Sequence, residues 1–159
     1  MRVTIGDFAD VGVPDSYRLI YLVFNTLFNL LTQDEQVRCF ENVATHLVPD
    51  GSFVVEGAVP TEYCRLRNNQ YVDVEGLSLD RVRLDIARYD PVRQVLEETH
   101  VSLSSTGIRL NPIVTRFVWP AELDLMARIA GLRLKERWAG WSHEPFLSTS
   151  SNCISVYGR

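Results

Sequence analysis

Basic charge is scarce in this chain. Sixteen Lys and Arg residues face twenty Asp and Glu, giving a formal net charge of −4 and a pI of about 5.4. No global positive field is present to hold a nucleic-acid backbone. The arginines that gather locally, Arg65, Arg67, Arg81, Arg83 and Arg88, alternate with acids as on a solvated sheet face. Cysteine is equally sparse. Cys39, Cys64 and Cys153 are odd in number and scattered, which excludes a disulfide framework and points to free thiols in a reducing cytosol. Long apolar runs are missing too: Leu19 to Leu31 is interrupted by Asn25, Thr26 and Asn29, too polar and short for a membrane span. No apolar segment follows the start Met1-Arg2-Val3-Thr4-Ile5-Gly6-Asp7, so a signal peptide is not expected. His46, His100 and His143 form no pair at metal-ligand spacing, and no metal site is expected. A Walker loop, a nucleophile elbow and a Cys–His pair are all absent. The nine glycines form no G-x-G cluster after an early strand.

What is present reads as an ordinary globular composition, 46% hydrophobic and 23% charged, with mean hydropathy near zero. A length of 159 residues suits one domain with a real core. Val3-Thr4-Ile5 is a short β-branched run before the Gly6-Asp7 turn, predicting a buried strand. Tyr17 to Phe24 is apolar on both faces, which predicts a central strand of a parallel sheet ending at Asn25 and Thr26. Thr32 to Glu35 reads as a capping box, and Val37, Phe40, Val43, Ala44 and Leu47 follow at helical spacing. Pro49-Asp50-Gly51 predicts a stop and turn before a strand from Ser52 to Val55, with Glu56 at its end. Between Tyr71 and Leu110 helical period vanishes, and alternation with turn signals at Asp90-Pro91 and Ser105-Thr106-Gly107 predicts three or four antiparallel strands. Pro120 at a first helical position and Gly131 just past the end bracket a helix with Leu123, Met126, Ala127 and Ala130 on its apolar side. Strands at Leu132 to Trp138 and Ile154 to Tyr157 follow.

Several runs taken together resemble class I S-adenosylmethionine-dependent methyltransferases. Val3 to Asp10 resembles the family's third strand with its acidic turn, and Tyr21 to Leu31 its fourth strand and loop. Leu47 to Glu56 is similar to the L-x-P-G-G turn and fifth strand, with Asp50 in place of the first glycine. Trp119 to Met126, Gly131-Leu132 and Ile154 to Tyr157 resemble the helix before strand six, the start of that strand, and strand seven. The resemblance implies an α/β fold: a partial Rossmann-like methyltransferase sheet of strands three to seven with an antiparallel insertion at about 62–118, in one truncated domain over 1–159. It also implies that strands one and two, with the glycine-rich loop, lie outside these residues. The family's sheet order is 3-2-1-4-5-7-6, so the strand at 17–24 would lose its neighbour. A second copy, a swapped third strand or an N-terminal partner is expected to cover that edge.

The resemblance further implies S-adenosylmethionine as cofactor and a small molecule as methyl acceptor. Asp7 stands where the family accepts from the adenine amino group, and the Phe8 backbone N–H where it donates to the ring; a turn aspartate is the plainer reading. Asn25 and Thr26 stand near the cofactor's methionine portion, or simply end a strand. Glu56, on the crevice side, is the candidate to face an acceptor amine or hydroxyl, or else a surface carboxylate. Tyr63, Tyr71 and Trp119 line an acceptor pocket or serve as core or dimer contacts. Two functions follow: a methyltransferase that needs residues from elsewhere, or a catalytically silent relative that dimerises or regulates.

Overall fold

In the computed structural model, which describes residues 3–159, the strands in chain order are β1 (Tyr17–Leu22), β2 (Leu47–Ala58), β3 (Gln70–Leu77), β4 (Arg81–Asp90), β5 (Val95–Ser104), β6 (Gly107–Arg116), β7 (Arg133–Trp138) and β8 (Asn152–Gly158). Helix α1 (Gln33–His46) separates β1 from β2, and α2 (Pro120–Ile129) precedes β7. The chain divides into two compact units, one running to Val59 and resuming at Val118–Arg159, the other Pro60–Phe117.

The capping box forms as the sequence predicts. Thr32 Oγ1 accepts from the Glu35 N–H at 3.2 Å, and Glu35 Oε2 accepts from the Thr32 N–H at 2.9 Å. The Thr32 hydroxyl also donates to Glu35 Oε2 at 2.9 Å, and this bond, with the one from the Thr32 N–H, holds the Glu35 carboxyl below its ordinary pKa. Replacing Thr32 with Ala is expected to lower stability by about 1 kcal/mol, read as a shifted urea midpoint. The apolar side of α1 buries Phe40, Val43 and Ala44, and Gln36 joins them. Its amide donates to the Leu30 carbonyl at 3.0 Å and to Leu27 O at 3.4 Å, satisfying groups that burial would otherwise strand.

The first unit's sheet has the order β1-β2-β8-β7, with β1 parallel to β2 and β8 antiparallel to both neighbours. That is the 4-5-7-6 half of the sheet order implied by the resemblance. Its core is aromatic: Phe40 of α1 meets Phe53 edge-on at 5.2 Å and Tyr157 at 5.7 Å, between ring centroids. On α2, Leu123, Met126 and Ala127 are buried, Pro120 opens the helix and Gly131 follows it at φ +75°, a conformation suited to glycine. A polar knot ties α2 to the last two strands. The Arg137 guanidinium binds both oxygens of Asp124, and the Tyr157 hydroxyl donates to Asp124 Oδ1 at 2.9 Å.

Two sequence expectations need correction here. Val3 to Ile5 form no strand, and Ile5 is 98% exposed. A β-branched run forms a strand only against a partner, and the strand that flanks this one in the family is not among the described residues. The Pro49-Asp50-Gly51 turn also does not separate helix from strand: β2 begins at Leu47. Leu47 pairs with Tyr17 and Ser52 with Leu19, so residues 48–51 bulge out of a continuous strand.

The second unit is a meander, β3-β4-β5-β6, antiparallel throughout. Tyr63 lies 4.6 Å from Phe117, 5.9 Å from Tyr89 and 6.4 Å from Tyr71, measured between ring centroids. Burial raises the hydroxyl pKa of both Tyr63 and Tyr71, and the Tyr71 O–H donates to Glu98 Oε1 at 2.8 Å. Both tyrosines therefore build this unit's own core cluster. Among the described residues no helix is long and apolar enough to cross a membrane.

Candidate active site

β1 ends at Leu22 opposite Val55, while β2 runs on to Ala58; Asn25 and Thr26 follow β1, and Glu56 lies within the last residues of β2 and not at its end as the sequence suggested. After Leu22 the chain turns through Phe24 and Asn25, at φ +53° and +58°, left-handed backbone that is costly for a bulky phenylalanine. The Thr26 hydroxyl and N–H both donate to the Val23 carbonyl, closing the turn. Asn25 Oδ1 accepts from the Ala58 N–H at 2.7 Å, tying the turn to the end of β2. Glu56 Oε2 accepts from the Phe24 N–H at 2.9 Å, and its Oε1 accepts from the Trp141 indole N–H at 3.0 Å. Asn25, Thr26 and Glu56 are thus gathered at one place. Behind them Phe28 packs so closely on Gly57 that an added Cβ there would stand 2.7 Å from the ring, so this position requires glycine.

Asp7 and Phe8 are held by a different set of contacts. Asp7 Oδ1 accepts from the Ala9 N–H at 2.9 Å, an Asx turn, while Asp10 pairs with Arg38 of α1 at 3.1 Å. Phe8 lines an apolar groove of about 280 Å³ with Tyr17, Leu19, Tyr21 and Cys39, along the free edge of β1. Burial, and then the Asp7 charge, push the Cys39 thiol up to about 12, so it stays protonated at neutral pH. His46 anchors the same segment: its ring nitrogens lie 2.8 Å from Asn42 O and 3.1 Å from Val13 O. His100 pairs with Asp85 at 2.7 Å in the second unit, and this hydrogen bond raises its pKa. Trp119, the third aromatic candidate, is the N-cap residue of α2 and about one-third exposed, at 36%.

Sequence reasoning passes over Phe24 and Trp141. These residues are 87% and 56% exposed, yet both are tied to Glu56. The usable signal was an aromatic residue directly before Asn25. For Trp141 there was none, since 85 positions separate it from Glu56.

S-adenosylmethionine fits the donor set in part. No glycine-rich backbone cradle for the ribose occurs among the described residues.

No family model matches the chain. The chain is 25% identical over 154 residues to a cypemycin N-terminal methyltransferase from a Streptomyces species, covering 97% of its own length and 63% of that protein. The structure of the CcbJ methyltransferase from Streptomyces caelestis superposes with a TM-score of 0.90 at 39% identity, over 97% of this chain and 62% of that one. An S-adenosylmethionine-dependent methyltransferase from Clostridium acetobutylicum superposes at 0.83 with 11% identity, a likeness of fold alone, over 99% of this chain and 64% of that one. The chain spans just under two thirds of the length of each. Its relatives are S-adenosylmethionine-dependent methyltransferases, and over nearly its whole length the chain has the corresponding part of the class I methyltransferase fold.

Proposed function

We propose that the chain is the acceptor-side part of an S-adenosylmethionine-dependent methyltransferase acting on an amine of a small molecule. The observation that carries this reading is the constellation at the ends of β1 and β2, where Phe24, Asn25, Glu56 and Trp141 surround the place where open α/β sheets bind ligands. Bound S-adenosylmethionine would supply an electrophilic methyl group. The chain's residues orient the acceptor and shield it from water, which suits a reaction catalysed largely by proximity. A nitrogen acceptor needs no base at the moment of transfer and becomes cationic, a charge that exposed aromatic faces favour. Both Glu56 oxygens already accept hydrogen bonds, in keeping with a reaction that has no dedicated base. One relative is an N-terminal methyltransferase, which favours nitrogen over oxygen or carbon. Asp7 and the Phe8 N–H serve the adenine, and Asn25 and Thr26 the methionine portion.

The ribose cradle comes from outside these 159 residues. The edge of β1, with Tyr17, Leu19 and Tyr21 exposed beside the apolar groove, is where that polypeptide or a second copy pairs. Titration calorimetry with S-adenosylmethionine, with light scattering in the same buffer, tests this reading. The monomer is expected to give no saturable heat at millimolar cofactor, and a dimer or complex to bind in the micromolar range. Absence of binding in every assembled state would leave the second reading, a silent relative that dimerises or regulates.

A further inference from the structure

The Glu56 carboxylate accepts from two donors that belong to separate segments of one unit. One is the backbone N–H of Phe24 in the strained turn after β1; the other is the indole N–H of Trp141 in the loop between β7 and β8. A backbone held at φ +53° by a phenylalanine persists only where its surroundings fix it. The fixing bonds here are the charge-assisted one to Glu56 and the Asn25–Ala58 bond beside it. The loop carrying Trp141 is otherwise braced locally: Ala139 N–H donates to Glu144 O at 2.8 Å, Ser142 N–H to Glu144 Oε2 at 3.1 Å, and Trp138 stacks on His143 at 3.9 Å. Among the bonds described for this loop, the one to Glu56 is what joins Trp141 to the end of β2.

We propose that Glu56 is a positioning residue for the methyl acceptor: its carboxylate bridges the Phe24 turn to the Trp141 loop and so sets the two exposed aromatic side chains as opposing walls of the acceptor subsite. The proposal rests on the methyltransferase reading for the identity of the ligand, but the bridge itself stands on geometry alone. It assigns Glu56 no proton transfer. An amine acceptor would lie between Phe24 and Trp141, and substrates too narrow to touch both would be poorly held.

Hydrogen exchange followed by NMR on the whole chain tests the bridge without turnover. In Glu56→Ala, the Phe24 amide and the Trp141 indole N–H are both expected to exchange at least about tenfold faster, while the Trp119 and Trp138 indoles are unchanged. In Trp141→Phe, the Phe24 amide keeps its protection. Unchanged exchange at both groups in Glu56→Ala overturns the bridge. In the assembled enzyme, Trp141→Phe and Glu56→Gln are each expected to raise the acceptor KM about tenfold, with kcat within about threefold and the pH profile of kcat unchanged in shape. A loss of about a hundredfold or more in kcat for Glu56→Gln, with one limb of the profile abolished and Trp141→Phe like the parent, would make Glu56 a base and overturn the positioning role. A chain that never turns over would defeat the methyl-transfer reading, and the exchange result would still decide the bridge.

Discussion

Phe40→Ala is expected to lower the stability of the first unit by about 3–5 kcal/mol, the range for deleting a fully buried phenylalanine. Phe40 is 0% exposed and touches two other rings, Phe53 of β2 and Tyr157 of β8, at edge-on geometry. Removing it therefore loses transfer energy, two aromatic contacts and the packing of α1 on the sheet, and the neighbouring rings cannot all move into the gap. Urea denaturation followed by tryptophan fluorescence measures this directly. Trp119, Trp138 and Trp141 all lie in the first unit, so the signal reports the unit that contains Phe40. A loss under about 1 kcal/mol would mean that the three-ring cluster does not organise this core.

Asp124→Ala ranks next, at about 2–3 kcal/mol. Its removal leaves the Arg137 guanidinium, only 14% exposed, without its bidentate partner and takes the acceptor from the Tyr157 hydroxyl. The figure lies below the 3–5 kcal/mol of a fully buried pair because Asp124 itself is 35% exposed and water screens part of the lost attraction. The companion variant Asp124→Leu/Arg137→Met removes both charges and is expected to recover more than half of the loss. If the double variant is no more stable than Asp124→Ala, an orphaned buried charge is not the source of the effect.

Local chemistry explains which elements were legible in the sequence. Thr32 and Glu35 announce a helix start because both halves of the cap lie three residues apart, and Pro120 and Gly131 mark α2 for equally local reasons. The meander was readable because alternation and its turns are both short-range. The strand expected at Val3 to Ile5 failed because propensity describes one chain segment, and a strand is a relation between two. Gln36 is a polar residue buried in α1 that the apolar spacing of the helix does not mark. Only the nearby Leu27 and Leu30 carbonyls, presented by a turn that no residue pattern specifies, make its burial favourable. Asn25, Thr26 and Glu56 were singled out from expected strand ends, and the structure brings them together although β2 continues past Glu56 to Ala58. Trp141 was not singled out, because a contact across 85 positions leaves no local mark.

The strand between β2 and β7 is β8, which the chain makes last of the four. During synthesis, β1, α1 and β2 emerge early but have no sheet to complete until residues 152–158 arrive. The continuous segment Pro60–Phe117 carries all four of its own strands and can pair them long before that. Vectorial folding on the ribosome should then form the Pro60–Phe117 meander first and leave the first unit incomplete, β2 awaiting its β8 partner. In that interval the nascent chain displays β2 without its β8 neighbour, the period in which chaperone contact or a second copy has its best access.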